Sequence, residues 1–185
     1  MDHRQPQRSL WTPALYLRAW RFAARAHAGQ IWKGSGLPYI VHIGMVAAET
    51  AAALGREGDR DGDLAIQAAL LHDVLEDTGV AEGEMRALFG DAVTRAVRSL
   101  TKDPALPKER RMADSLARIA AAGPEAAMVK LADRIANLEP PPPDWDAAKI
   151  ESYRAEARTI HAALAHASPH LGARLLERIE AYGRA

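Results

Sequence analysis

The sequence predicts an all-α fold, a bundle of about eight to ten helices, and three observations lead there. Alanine is abundant, while aromatic residues make up only 5% of the chain and β-branched residues are sparse, so the usual strand formers are missing. Apolar residues recur at helical spacing in one segment after another, and those segments are separated by glycine and proline. No stretch shows a strand alternation or an internal repeat.

Taken in order, Thr12 and Pro13 read as a cap followed by proline at the first helical position. They open a helix that carries Leu15, Ala19, Phe22, Ala23 and Ala26 and stops near Gly29. Residues 30–39, "QIWKGSGLPY", contain Gly34, Gly36 and Pro38 and read as a loop. A second helix is expected over 42–54, and a Gly/Asp stretch separates it from a third that continues to Asp77. "AEGEMRALFG" and "DAVTRAVRSLTKD" predict two short helices with Gly90 as the stop between them. Pro107 opens another that runs to Gly123, and Pro124 starts "PEAAMVKLADRIANL". "EPPPPDW" is a break, because consecutive prolines cannot propagate a helix. Two closing helices cover 146–167 and, with Ser168 and Pro169 as cap and first residue, 169–182.

A chain of 185 residues suits one domain spanning 1–185. With no cysteine, neither disulfides nor thiolate ligands are available, so a metal must be held by histidine and carboxylates. The 24 basic and 24 acidic residues cancel, which leaves no global field to draw in a nucleic acid. The N-terminus "MDHRQPQRSLWTP" has no apolar core of a signal peptide, and no run of about 18 apolar residues spans a bilayer. A soluble, cytoplasmic protein is expected. The terminal amphipathic helices could serve a homo-oligomeric interface or complete the core.

The stretch "LLHDVLEDTG" places His72, Asp73, Glu76 and Asp77 together after an apolar run. At roughly 100° of rotation per residue, Asp73, Glu76 and Asp77 fall about 100°, 40° and 140° from His72, so all four share one arc of a single helix. Leu64, Ile66, Ala68, Leu70, Leu71 and Leu75 make most of the remaining circumference apolar, as in a buried helix. Negative charge at its C-terminus opposes the macrodipole, and a bound cation would remove the conflict. Further ligands are then needed. His42 follows a Gly/Pro loop that can aim it, and Asp133 and Asn137, four residues apart, share the polar face of "MVKLADRIANLE".

A single His, an adjacent His-Asp pair and a distant Asp, all on helices, resemble the HD superfamily of metal-dependent phosphohydrolases. With "AHAGQIWKGSGLPYIVH" upstream and "VKLADRIANL" downstream, the chain is similar over residues 15–153 to the hydrolase domain of RelA/SpoT proteins in its stand-alone form, a small alarmone hydrolase. Residues 154–185 would add closing helices. The resemblance implies an HD-domain helical bundle, with His42, His72, Asp73 and Asp133 as ligands of one manganese ion, although the donor set also admits iron or zinc. It implies hydrolysis of (p)ppGpp to GDP or GTP and pyrophosphate, without synthetase activity. Glu76 and Asp77 would orient or deprotonate the attacking water. Lys33, Asn137 and Tyr153 match residues that face the nucleotide, and Lys102 and Lys130 are candidate pyrophosphate partners. Without its metal, such a site is expected to bind protons and lose stability.

The sequence departs from the family pattern at three positions. Trp32 stands where arginine usually stacks on the base, which leaves guanine and an adenine alarmone, (pp)pApp, both open. Ile43 replaces a proline after the ligand histidine, and Ala136 replaces a histidine before Asn137. His27 matches a histidine just before the loop that either supports the site or packs in the core. Two alternative functions stay in view: a nucleotide phosphatase acting on another phosphorylated substrate, and a module that binds alarmone without cleaving it.

Overall fold

The computed structural model describes residues 10–183, so the expectation about a leader in residues 1–9 lies outside the described residues. In chain order the helices are α1 (Pro13–Ala26), α2 (Ile40–Leu54), α3 (Gly62–Leu71), α4 (Val74–Asp77) and α5 (Glu82–Leu100). They are followed by α6 (Lys108–Ala122), α7 (Pro124–Asn137), α8 (Ala147–Leu164), a 3-10 turn (Ala165–Ala167) and α9 (Pro169–Ala181). Among the described residues the only sheet-like pairing is an isolated antiparallel bridge between Ile31 and Pro38, which pinches the 30–39 loop shut.

Local chemistry explains most of the boundaries. Gly90 takes φ 81°, a left-handed conformation that bends α5 into the two helical halves the sequence predicts. Ser168 caps α9: its hydroxyl oxygen accepts from the Leu171 amide at 3.2 Å and the hydroxyl donates to Glu57 Oε1 at 2.9 Å. Thr12 differs from the expectation. Its side chain does not cap α1 but donates across to Asp63 Oδ2 at 2.9 Å, tying the start of α1 to α3.

The expected single helix through Asp77 is interrupted. The helical ladder ends at Leu71 and resumes at Val74. Asp73 sits at φ −102° and ψ 0°, at the edge of the helical region, and despite the break His72, Asp73, Glu76 and Asp77 all face one cleft. The Asp77 amide still donates to the Asp73 carbonyl at 2.8 Å, so α4 hangs directly from the pair.

At the centre lies α7, packed against α2, α3, α5, α6, α8 and α9. Met128, Leu131, Ala132 and Ile135 are buried as the apolar stripe predicts, but Asp133 and Arg134 are buried with them, so α7 has no solvated face at its middle. Ile160 and Leu164 of α8 and Leu171, Leu175 and Ile179 of α9 are also buried, so the closing helices complete the core. Among the described residues no helix is long and apolar enough to cross a membrane.

Candidate metal centre and active-site cleft

Because α2, α3 and α7 pack against one another, residues far apart in sequence meet at one point. His42 lies in the first turn of α2, His72 directly follows α3, and Asp133 lies on α7. One potential ligand atom from each falls within 4.8 Å of the others, and all three residues are buried. His42 Nε2 is 3.4 Å from Asp133 Oδ1 and 3.9 Å from Asp73 Oδ2. His72 Nε2 is 2.8 Å from Asp73 Oδ2 and 3.9 Å from Asp133 Oδ1. All four sequence-predicted ligands therefore converge, with Asp73 held at the edge by a hydrogen bond from the Tyr39 hydroxyl.

This donor set fits a divalent cation. His72 Nδ1 donates to the Ala69 carbonyl at 2.9 Å, which leaves the lone pair of the neutral ring on Nε2. That nitrogen is buried and lacks an aligned hydrogen-bond partner, although carboxylate oxygens surround it. An imidazole lone pair facing two carboxylates, with no donor between them, calls for positive charge. Without a cation, a proton supplies it. Burial by itself would depress the His72 imidazolium, but the charges of Asp73 and Asp133 outweigh burial and raise it to about 9. Burial would likewise raise Asp73, yet the neighbouring His72 pulls it down to about 2. Asp133 is held well below the usual carboxylate range, because Lys130 and both histidines outweigh its burial.

A pH dependence follows. His72 carries its proton up to about pH 9 in the metal-free protein, whereas Asp73 is already ionised above about pH 2. A cation must displace the imidazolium proton, so the affinity for a divalent cation, measured with manganese as the probe, should rise with pH, by about tenfold per unit below 9, and then level off. Calorimetric titrations in two buffers of different ionisation enthalpy would show a released proton near pH 7.5. A pH-independent affinity would contradict the assignment.

Beside the cluster opens a cleft of about 310 Å³, lined by Asp73, Glu76, Asp77, Lys102, Lys130, Asp133, Asn137 and Tyr153 among others. Lys102 holds Glu76 twice, from its amide to Oε2 and from Nζ to Oε1, each at 2.8 Å. Burial would lower the Lys102 ammonium, but its bond to Glu76 reverses the direction. Lys130 is drawn inward, with Nζ 2.8 Å from Asp133 Oδ2, and Asn137 Nδ2 donates to Asp133 Oδ1 at 2.6 Å. Tyr153 lies half-buried under the Arg134 guanidinium, 4.5 Å from ring centre to Cζ, and burial pushes its hydroxyl up to about 12. Trp32 reaches the cluster from the loop, its ring tilted against that of His42 at 5.5 Å, while Lys33 stands exposed.

Three residues of the site escaped the sequence reading. Tyr39 bonds Asp73, Gln30 bonds Asp77, and Arg134 lines the cleft between Tyr153 and Glu156. The adjacency of Arg134 to Asp133 was a usable signal, but its amphipathic helix suggested a solvated face. Nothing local marks Gln30 or Tyr39, whose partners lie 47 and 34 positions away.

Imidazoles and carboxylates converging where three helices meet, beside a cleft with further carboxylates on its wall, make a site suited to a helical enzyme that uses a divalent cation. The chain belongs to the HD domain family, which it matches over residues 19–171. A divalent metal goes with that family, and His42, His72 and Asp133 form the candidate site. The chain is 37% identical over 146 residues to the guanosine-3′,5′-bis(diphosphate) 3′-pyrophosphohydrolase MESH1 of Danio rerio, covering 76% of this chain and 78% of that one. The Homo sapiens MESH1 is also 37% identical, with coverage of 76% and 79%. A solved structure of a metazoan ortholog of SpoT, described as hydrolysing ppGpp and playing a role in starvation responses, superposes with a TM-score of 0.79. It shares 28% identity and covers 94% of this chain and 98% of its own.

Proposed function

We infer that this chain is a metal-dependent hydrolase that removes the 3′-pyrophosphate of guanosine alarmones, converting (p)ppGpp and water to GDP or GTP and pyrophosphate. One observation carries the reading: the convergence of His42, His72, Asp73 and Asp133 beside Glu76 and Asp77, in a chain whose relatives are named for that reaction. The whole chain acts as one HD hydrolase domain, and a cytoplasmic location goes with a pool of phosphorylated nucleosides as substrate.

Manganese is the proposed ion, since two imidazoles and two carboxylates without sulfur suit a borderline-to-hard divalent metal. When bound, it supplies Lewis-acid polarisation of a phosphate oxygen and acidifies a water. His42, His72, Asp73 and Asp133 would hold it. Glu76 and Asp77 then orient the water and take its proton as its oxygen bonds to the phosphorus on the ribose 3′ oxygen; that P–O bond breaks, and the 3′ oxygen leaves and is protonated. Lys102 keeps the Glu76 carboxylate in place through two hydrogen bonds. Lys130, Lys102 and Lys33 supply positive charge for the pyrophosphate and nucleotide, while Asn137 and Tyr153 flank the nucleoside.

A second reading concerns the base. The Trp32 indole lies 5.5 Å from the His42 ring, where a purine of either kind can stack on it. Purified protein with manganese, given guanosine and adenosine 3′-pyrophosphates side by side, tests both readings. Pyrophosphate from the guanosine compound is expected. Orthophosphate alone would point to a phosphatase, and no product to a binding module.

A further inference from the structure

Asp77 is the last residue of a four-residue helix and is exposed, a position from which a carboxylate would normally swing into water. It does not swing free, because Gln30 Nε2 donates to its Oδ2 at 3.0 Å. Gln30 is itself tied down. Its backbone amide donates to the His27 carbonyl at 3.0 Å, and its carbonyl accepts from the Tyr39 amide at 2.9 Å. Its side-chain oxygen lies 2.6 Å from Nδ1 of His27, and an amide oxygen can only accept, so Nδ1 is the donor. His27 is only 4% exposed, and its Nε2 is buried without a hydrogen-bond partner, as in a neutral ring with its proton on Nδ1. A carboxylate can only accept, so the end of the Gln30 amide that faces Asp77 is the nitrogen, which is why the oxygen faces His27.

We propose that Gln30, locked by His27, is a positioning residue that turns the Asp77 carboxylate into the cleft for water activation. The inference rests on the role given to Asp77 under Proposed function. A neutral amide suits this task, since its NH2 end can only donate and brings no charge to neutralise the carboxylate. The loop that carries Gln30 also carries Trp32 and Lys33, so the device holding Asp77 is continuous with the segment proposed to grip the nucleotide.

The test compares Q30M, Q30E, D77N and the double variant Q30M/D77N with the wild-type protein. It uses guanosine 3′,5′-bis(diphosphate) and manganese at pH 8, and measures kcat, KM, bound metal and melting temperature for each. Q30M removes the contacts to both His27 and Asp77. Q30E keeps an acceptor for His27 but replaces the donor to Asp77 with a like-charged oxygen, so it breaks the Asp77 contact while the bond to His27 is retained. Both should lower kcat by about 10- to 100-fold, with KM within about threefold and metal content unchanged. The double variant should be no slower than D77N alone, since Gln30 acts only through Asp77. A Q30E enzyme within twofold of wild type, or losses that multiply in the double variant, would overturn the proposal while leaving the role of Asp77 intact. Wild-type turnover by D77N would instead overturn the reading beneath it, and the proposal with it.

Discussion

Asp133→Asn will lose its bound cation and hydrolyse (p)ppGpp at least about 10³-fold more slowly, a loss equivalent to roughly 4 kcal/mol of transition-state stabilisation. Asp133 is the hub of the cluster, with the Lys130 ammonium at 2.8 Å, the Asn137 amide at 2.6 Å and His42 Nε2 at 3.4 Å. Asparagine removes the charge that a cation and these donors share, and it brings an amide NH2 into a place where only an acceptor serves. The Lys130–Asp133 pair is nearly buried, each side chain 12% exposed, so breaking it should also lower stability by about 3 kcal/mol. Elemental analysis of purified protein, turnover assays and denaturant unfolding check the three parts. A variant that kept stoichiometric manganese would remove Asp133 from the ligand set.

Glu76→Gln should behave differently: kcat lower by about 10²- to 10⁴-fold, with metal content at the wild-type level. Glu76 stands outside the buried trio and binds Lys102 through both oxygens. Glutamine keeps an oxygen for one of those bonds and the shape of the side chain, but it cannot take a proton from water. The pair of variants separates holding the ion from using it. Unchanged turnover by the glutamine variant with metal bound would leave proton transfer to another group, with Asp77 the next to examine.

Much of the helical order was legible because helix boundaries are local events. Pro13, Pro124 and Pro169 occupy first helical positions where the missing amide costs nothing, Gly90 supplies a conformation other residues avoid, and 139–145 cannot be helical. Thr12 is the N-cap residue as read, but its hydroxyl bonds a distant competitor, Asp63, that no local pattern shows. The break at His72–Asp73 was hidden for a related reason. The apolar periodicity runs through it, and only the demand that Asp73 meet both His72 and the Tyr39 hydroxyl draws the backbone out of register.

The chemistry of the site was legible in kind. Without cysteine, the ligands had to be imidazole and carboxylate, and His42, His72, Asp73 and Asp133 do converge. The burial of Arg134 and the inward turn of Lys130 were not legible, because a 3.6-residue period separates faces and cannot say that α7 has neighbours on every side. Gln30 and Tyr39 were read as loop residues and His27 as either a support of the site or a core residue, and their hydrogen bonds to one another and to the acidic turn exist only once the 30–39 loop closes.

The sequence by itself therefore determined most of the helix boundaries, the donor atoms available to a metal and the presence of spare carboxylates one turn beyond the His-Asp pair. These depend on backbone propensities and side-chain chemistry within a few residues. Tertiary structure alone decided that α2, α3 and α7 bring His42, His72 and Asp133 within 4.8 Å, that Lys102 closes on Glu76, and that Gln30 bonds Asp77. Those distances are set by how buried side chains of separate helices fit together, and packing of that kind is a property of the whole core that no local stretch of sequence contains.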